Sequence, residues 1–164
     1  MKDVNLLLTN AKHIFNTLDI EYGNVTEIKV NYRAKTRWGQ CRKRGNGYII
    51  EINDRLLKDD IAEDKAMNTV LHELLHTVNG CMNHGYKWQS LAELINDCYS
   101  CYNIERTTSA DYFGISREER INDYKYTIRC EKCGQTFYRH RRFDTHRYSC
   151  GVCHTKNWKI IANY

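Results

Sequence analysis

A chain of 164 residues has room for one domain and a small accessory module. None of its apolar runs approaches the eighteen or more residues that a membrane-spanning helix needs, so a membrane-embedded protein is excluded as a reading. Its net charge of +5 is unevenly spread. Residues 1–124 balance at −2 and residues 125–164 at +7, so the tail is expected to meet an anionic partner, nucleic acid being the usual one.

The first segment, MKDVNLLLTNAKHIF, has a three-leucine apolar stretch and no small-residue cleavage site, so no export signal is read. A cytoplasmic location is expected, at the nucleoid if the tail binds DNA. Without export, eight cysteines point to metal ligation or reduced thiols and not to a disulfide framework. Residues 3–18 space Leu7, Ala11, Ile14, Phe15 and Leu18 along one helical stripe. Residues 26–33 alternate, with Ile28, Val30 and Tyr32 on one face of a predicted strand. A second strand is predicted at 36–41, and the turn residues of KRGNG lead into a returning strand, YIIEIN, at 48–53.

Residues 60–79 give the strongest helix signal. Asp60 can cap it, Ala66, Val70, Leu71, Leu74 and Leu75 recur at helical spacing, and Gly80 can end it. A further helix is predicted from Trp88 to Tyr102, with Leu91, Leu94, Ile95, Cys98 and Tyr102 as its apolar face. Residues 103–124 are polar and weakly patterned and read as a linker holding at most one short helix. The resulting division is a body over 1–102, a linker over 103–124 and a terminal module over 125–164. The expected class is α+β, with helices packed on a small antiparallel sheet followed by a small cysteine-rich module.

Residues 72–76 read HELLH. Each helical residue turns about 100°, so His72 and His76 lie nearly above one another and can direct two imidazoles at one metal ion. Glu73 lies about 100° around the helix from His72, off the ligand face but within reach of a water on the metal, where a zinc hydrolase needs its general base. With 7 His and 10 Glu in the chain, the chance of one such motif is roughly 2%, and this one falls inside the best predicted helix. A third protein ligand leaves one position open for water. His84, beyond Gly80, is the leading candidate and Glu93, on the next helix, is the rival. Metzincin spacing does not fit, because Gly80 and His84 follow His76 by four and eight residues. An oxyanion donor is also required, and Tyr86, Tyr112 and Arg37 are candidates among which the residues do not choose.

Taken together, HELLHTVNGCMNHGYKW at 72–88 resembles the SprT-like metallopeptidases, whose pattern is HExxH, a short excursion, then H-G-x-x-W/F. RWGQC at 37–41 and IEIN at 50–53 are similar to the family's strand segment beside the active-site helix. The resemblance extends over residues 5–102 and 128–158, the second stretch matching a C-terminal zinc ribbon. It implies His72, His76 and His84 as ligands of a catalytic zinc and Glu73 as the catalytic acid. Its eukaryotic relatives imply proteolysis of DNA-attached proteins, stimulated by DNA.

In the terminal module, Cys130-x2-Cys133 and Cys150-x2-Cys153 stand sixteen residues apart, the spacing of a four-cysteine zinc site. Four thiolates close the coordination sphere, so this second zinc is expected to be structural. Each pair can form a tight knuckle, helped by Gly134 and Gly151. The module mixes aromatic residues with Arg139, Arg141, Arg142 and Arg147, which can meet phosphates of DNA or RNA while aromatics stack on bases. The competing reading makes the aromatics a small core and the charges its solvated surface. A second basic run surrounds the central hairpin, with no acid from Ile28 to Ile50, and reads as a solvated surface. Cys98 and Cys101 are expected to be buried thiols, with Cys41 and Cys81 packed likewise.

Two functions follow from different classes: a zinc-dependent endopeptidase acting on a protein or peptide substrate, with two zinc ions per chain, and a nucleic-acid-binding zinc-ribbon protein whose body does no hydrolysis.

Overall fold

Residues 1–115 and 124–163 are described in a computed structural model of the chain. They fall into two units, Met1–Gly114 and Ile115–Tyr164. Asp3 starts the first helix, its carboxylate accepting from Asn5 N at 2.8 Å, and α1 (Val4–Thr17) buries Leu7, Ala11, Ile14 and Phe15 as the spacing predicts. Three strands follow: β1 (Val25–Asn31), β2 (Gly39–Arg44) and β3 (Gly47–Asn53). The order is β1-β3-β2, which makes β3 central and explains why Ile49 through Asn53 are all buried.

β2 and β3 form the expected antiparallel hairpin, with Cys41 opposite Ile50. β1 pairs with β3 in parallel, Ile28 beside Ile50, on the side away from β2, and the chain that joins them includes β2 as the crossover a parallel pair needs. β2 starts three residues later than its predicted span. Tyr32 lies past the end of β1 and is 68% exposed, so it leaves the apolar face proposed for it.

A 3-10 turn at Asp54–Leu57 leads to α2 (Glu63–Leu75), which buries Ala66, Met67, Val70, Leu71, Leu74 and Leu75. The cap position is Ala62, without a side-chain bond, and Asp60 lies outside the helix. Glu63 and Asp64 in the first turn supply the negative charge that the N-terminal dipole favours. At the other end the helix stops five residues before Gly80. Thr77 N and Val78 N donate to carbonyls only three residues back, tightening the chain out of α-helical register. His76 keeps αR dihedrals at the cap (φ −67°, ψ −12°), so its alignment with His72 survives.

The last helix of the unit, α3 (Tyr86–Cys98), buries Trp88, Ala92 and Ile95. That stripe is rotated from the predicted one. Leu94 is 40% exposed, and Cys98 and Cys101 are exposed thiols, not buried ones. Tyr99 leaves helical dihedrals and ends α3 before Tyr102.

Residues 103–114 correct the linker assignment, because they pack on the body. Ile104 and Phe113 are 4% and 3% exposed, the Phe113 ring lies 4.8 Å from that of Trp38, and Trp38 Nε1 donates to Thr108 O at 3.2 Å. Two buried apolar residues among polar neighbours carry too weak a period to register as structure. The rest of the expected linker, 116–123, lies outside the described residues.

In the second unit, β4 (Tyr126–Cys130), β5 (Thr136–Arg139) and β6 (Trp158–Ala162) form an antiparallel sheet with β4 central. Phe137, Phe143 and Trp158 meet edge to face at 5.1–5.5 Å between centroids, next to fully buried Ile128. These three aromatics are therefore core, as the competing reading of the ribbon had it. Among the described residues no helix is long and apolar enough to cross a membrane.

Phe113→Ala is expected to destabilise the first unit by about 3–5 kcal/mol, the cost of a large core truncation, against about 0.5 kcal/mol for a linker residue. Chemical denaturation of the full chain measures the difference.

Candidate metal centres

The three histidines of the first unit come together through one turn of chain. After α2, Gly80 takes φ +84°, a left-handed conformation that suits glycine, and the chain reverses. The reversal lays the Cys81 carbonyl on His76 Nδ1 at 2.7 Å. Asn83 Oδ1 then accepts from Gly85 N at 3.1 Å, and His84 is presented just before α3 starts.

The imidazoles converge through their Nε2 atoms. His72 Nε2 is 3.3 Å from His76 Nε2 and 3.0 Å from His84 Nε2. Their other nitrogens decide what those atoms can do. His72 Nδ1 faces Glu105 O at 3.0 Å and His76 Nδ1 faces Cys81 O. A carbonyl only accepts, so each Nδ1 must carry the proton and each Nε2 presents a lone pair. Lone pairs aimed at one another repel unless a cation lies between them. Two nitrogens held about 2.0–2.1 Å from a tetrahedral ion stand about 3.3–3.4 Å apart, close to the separations found. The donor set fits a metal ion such as zinc. Trp88, 2% exposed, backs the cluster, its ring 4.6–5.8 Å from all three imidazoles.

Burial first, then the neighbouring His76 and His84, push the His72 pKa down to about 4, which keeps its ring neutral and able to ligate. Burial lowers His76 and His84 as well, with Arg106 adding to the effect at His84. Glu93 is exposed and stands outside the cluster, so His84 completes the group.

Glu73 points from α2 toward β2. It is 6% exposed, and burial pushes its pKa up to about 8, against the opposing effects of the Cys41 backbone N–H and of Arg37. The carboxylate lies over Gly39, where an added Cβ would come within 2.5 Å of Oε1. Glycine in RWGQC is therefore the space Glu73 occupies. A cavity of about 140 Å³ opens beside it, lined by Trp38, Gly39, His72, Glu73, Glu105 and Arg106.

Of the oxyanion candidates, Tyr86 is 87% exposed, and the Tyr112 hydroxyl accepts from Asn68 Nδ2. Glu105, Cys81 and Arg106 were missed by sequence reasoning. Two act through main-chain carbonyls that no residue type announces, and the third sits in the stretch read as linker.

The second centre is the four-cysteine group. Cys130 Sγ lies 3.5 Å from Cys153 Sγ, and Cys133 Sγ 3.5 Å from Cys150 Sγ. All four sulfurs fall within 4.8 Å of one another, near the roughly 3.8 Å expected around one tetrahedral ion with bonds of about 2.3 Å. In each knuckle the residue four after the first cysteine bonds back to it: Gly134 N to Cys130 O and His154 N to Cys150 O, both at 2.9 Å. Both residues adopt positive φ, +76° and +55°. His154 thus takes the position assigned to Gly151, because the left-handed residue must follow the second cysteine. The N–H groups of Cys153 and Val152 lower the Cys150 thiol, while the neighbouring sulfurs push Cys133 up, as expected of four thiols sharing one site.

Arg139, Arg141, Arg142 and Arg147 are all exposed. Arg139 lies 5.7 and 5.3 Å from the Phe137 and Phe143 ring centres, and Arg147 5.6 Å from that of Tyr148. In the basic hairpin, Arg42 pairs with Glu51 and Lys29 with Glu27, consistent with a solvated surface. Cys81 is fully buried, as expected, and burial followed by Glu73 pushes the half-buried Cys41 thiol up to about 12.

Metal analysis separates the two centres. The chain is expected to hold two equivalents, His76→Ala one, and Cys150→Ser one with the sheet of the second unit lost. Retention of two equivalents by either variant would remove that centre from the account.

Residues 6–109 match the model of the SprT-like family. A Protein SprT-like of Lactiplantibacillus plantarum is 28% identical over 123 residues, covering 75% of this chain and 76% of its own length. Staphylococcus aureus proteins of the same name are 25% identical over 146 residues in strain MRSA252, covering 86% and 87%, and 28% identical over 131 residues in strain JH9, covering 77% and 76%. With its family match spanning the histidine cluster, Glu73 and the strands around them, the chain belongs to the SprT-like family.

Proposed function

We infer that the protein is a zinc-dependent endopeptidase whose basic ribbon brings it to proteins on nucleic acid. The observation that supports this most is the buried Glu73 carboxyl beside three convergent, neutral imidazoles, at the wall of a cavity. A structural metal site has no use for such a carboxylate, whereas a hydrolytic one requires it.

His72, His76 and His84 would hold the ion through their ring nitrogens. Zinc there supplies Lewis acidity, polarising an amide carbonyl and bringing the pKa of water to about 7. Glu73 takes the proton of the attacking water on a carboxylate oxygen and delivers it to the departing amine nitrogen. Burial suits the carboxyl to this exchange, because a group with its pKa near neutrality can both accept and return a proton. Gly39 and the Cys41 N–H hold the carboxylate against β2 through the cycle.

The ribbon contributes binding, its thiolates closing a structural zinc site. Its exposed arginines suit phosphate groups, and Tyr148, 44% exposed and stacked on Phe143, suits an unpaired base. The same basic surface motivates the other reading, in which the ribbon binds nucleic acid and the body does no hydrolysis.

Glu73→Gln separates the two. It is expected to retain two zinc ions and to lose cleavage of an unstructured protein by about 10²–10⁴-fold, the usual contribution of a general acid–base group. A variant as active as wild type would end the proposed mechanism, and a wild type that binds DNA but cleaves nothing would favour the binding protein. Replacing Arg141 and Arg142 by Ala is expected to lower the slope of log affinity against log salt by about one for each phosphate no longer neutralised. DNA binding measured across a salt series reads this, and an unchanged slope would move the binding surface elsewhere.

A further inference from the structure

The group that orients His72 is a backbone carbonyl from a stretch without regular structure, 33 residues further along the chain. A lone irregular segment does not hold one carbonyl on target unaided, because it lacks the ladder of bonds that stiffens a strand. The bonds that replace such a ladder come from two asparagines. Asn96 on α3 grips Ile104 through both its backbone N–H and its carbonyl, Oδ1 accepting from Ile104 N at 2.8 Å and Nδ2 donating to Ile104 O at 3.2 Å. Asn68 on α2 accepts from Asn103 N at 3.1 Å and donates to the Tyr112 hydroxyl. The clamped residues, 103 and 104, immediately precede Glu105.

The placement of the two asparagines gives the clamp its meaning. Asn68 lies one helical turn before His72 on the same helix, so the residue that fixes the strap and the ring the strap fixes share one rigid support. Asn96 belongs to the helix that begins two residues after His84. The strap thus ties the helix bearing two of the candidate ligands to the helix that follows the third. Asn68 is 6% exposed and Ile104 4%, so the bonds to the strap are partly buried. Ordinary core filling would be served by apolar residues at 68 and 96. Two amides whose oxygens accept from the N–H groups of consecutive strap residues, Asn103 and Ile104, indicate a positional task.

We propose that Asn68 and Asn96 are positioning residues of the histidine centre, clamping residues 103–104 so that the Glu105 carbonyl holds the His72 ring with Nε2 toward the metal. They touch neither metal nor substrate and act through the strap. This inference rests on the reading that His72, His76 and His84 hold zinc. Outer partners of metal-ligating histidines fix tautomer and ring orientation, and their loss weakens metal binding by roughly 10–100-fold.

The test uses the full, zinc-loaded chain with Asn96→Ala and Asn68→Ala. Competition with a chelator is expected to show zinc at the histidine centre weakened roughly 10–100-fold while ribbon zinc is released as in wild type. Long-range proton–nitrogen NMR of the imidazoles gives a second readout that general destabilisation would not imitate. The His72 Nδ1 proton is expected to lose its protection from exchange, while the His76 Nδ1 proton, bonded to Cys81 O, keeps its own. Asn96→Asp, which retains the acceptor for Ile104 N–H, is expected to recover most of the affinity. Unchanged zinc affinity in both alanine variants would overturn the inference, as would equal loss of both ring protons, which would mark a merely structural role. Wild-type protein that takes up only one zinc would overturn the underlying reading instead. If Asn68→Ala does not fold, Asn96→Ala and Asn96→Asp decide the matter.

Discussion

Convergence of the His72, His76 and His84 Nε2 atoms is the constraint to which the first unit is built. Facing lone pairs on His72 and His76 Nε2, 3.3 Å apart with His84 Nε2 beside them, are unfavourable on their own and become favourable around a cation. The protein enforces that arrangement from behind. Carbonyls of Glu105 and Cys81 hold the protons on the Nδ1 atoms of His72 and His76, and Trp88 packs against all three rings. Much of the local chain is explained by this requirement: the early end of α2, the left-handed turn at Gly80, and the return of residues 103–108 over the helix.

A second constraint acts through Glu73. A carboxyl shut between a helix and a strand is costly to ionise, and its raised pKa expresses that cost. The site meets it with one backbone donor, the Cys41 N–H, and one bare Cα at Gly39 that makes the close approach sterically allowed. The edge strand β2 therefore shapes the surroundings of Glu73 as well as the sheet.

The second unit solves a different problem. With about fifty residues and one small aromatic cluster, it has too little apolar surface for an independent core, and its four clustered cysteine sulfurs could hold an ion that would supply what is missing. Its two knuckles use the same device, a left-handed residue four positions after the leading cysteine, once as Gly134 and once as His154. Its arginines remain on exposed side chains, with Arg139 also lying over the Phe137 and Phe143 rings.

The sequence alone determined what depends on spacing. Helical periodicity placed α1 and α2, the interval between His72 and His76 aligned two imidazoles, and the sixteen residues between cysteine pairs announced the ribbon. Tertiary structure decided what depends on main-chain atoms and on packing across long separations. The sequence favoured His84 over Glu93, and the folded Gly80 turn is what carries its ring to the other two. The orienting carbonyls of Glu105 and Cys81, the parallel pairing of β1, and the place of residues 103–114 in the body had no residue-level signal. Side-chain pattern records which faces are apolar, but a carbonyl is the same at every position, so only the folded chain shows which ones are aimed at a histidine.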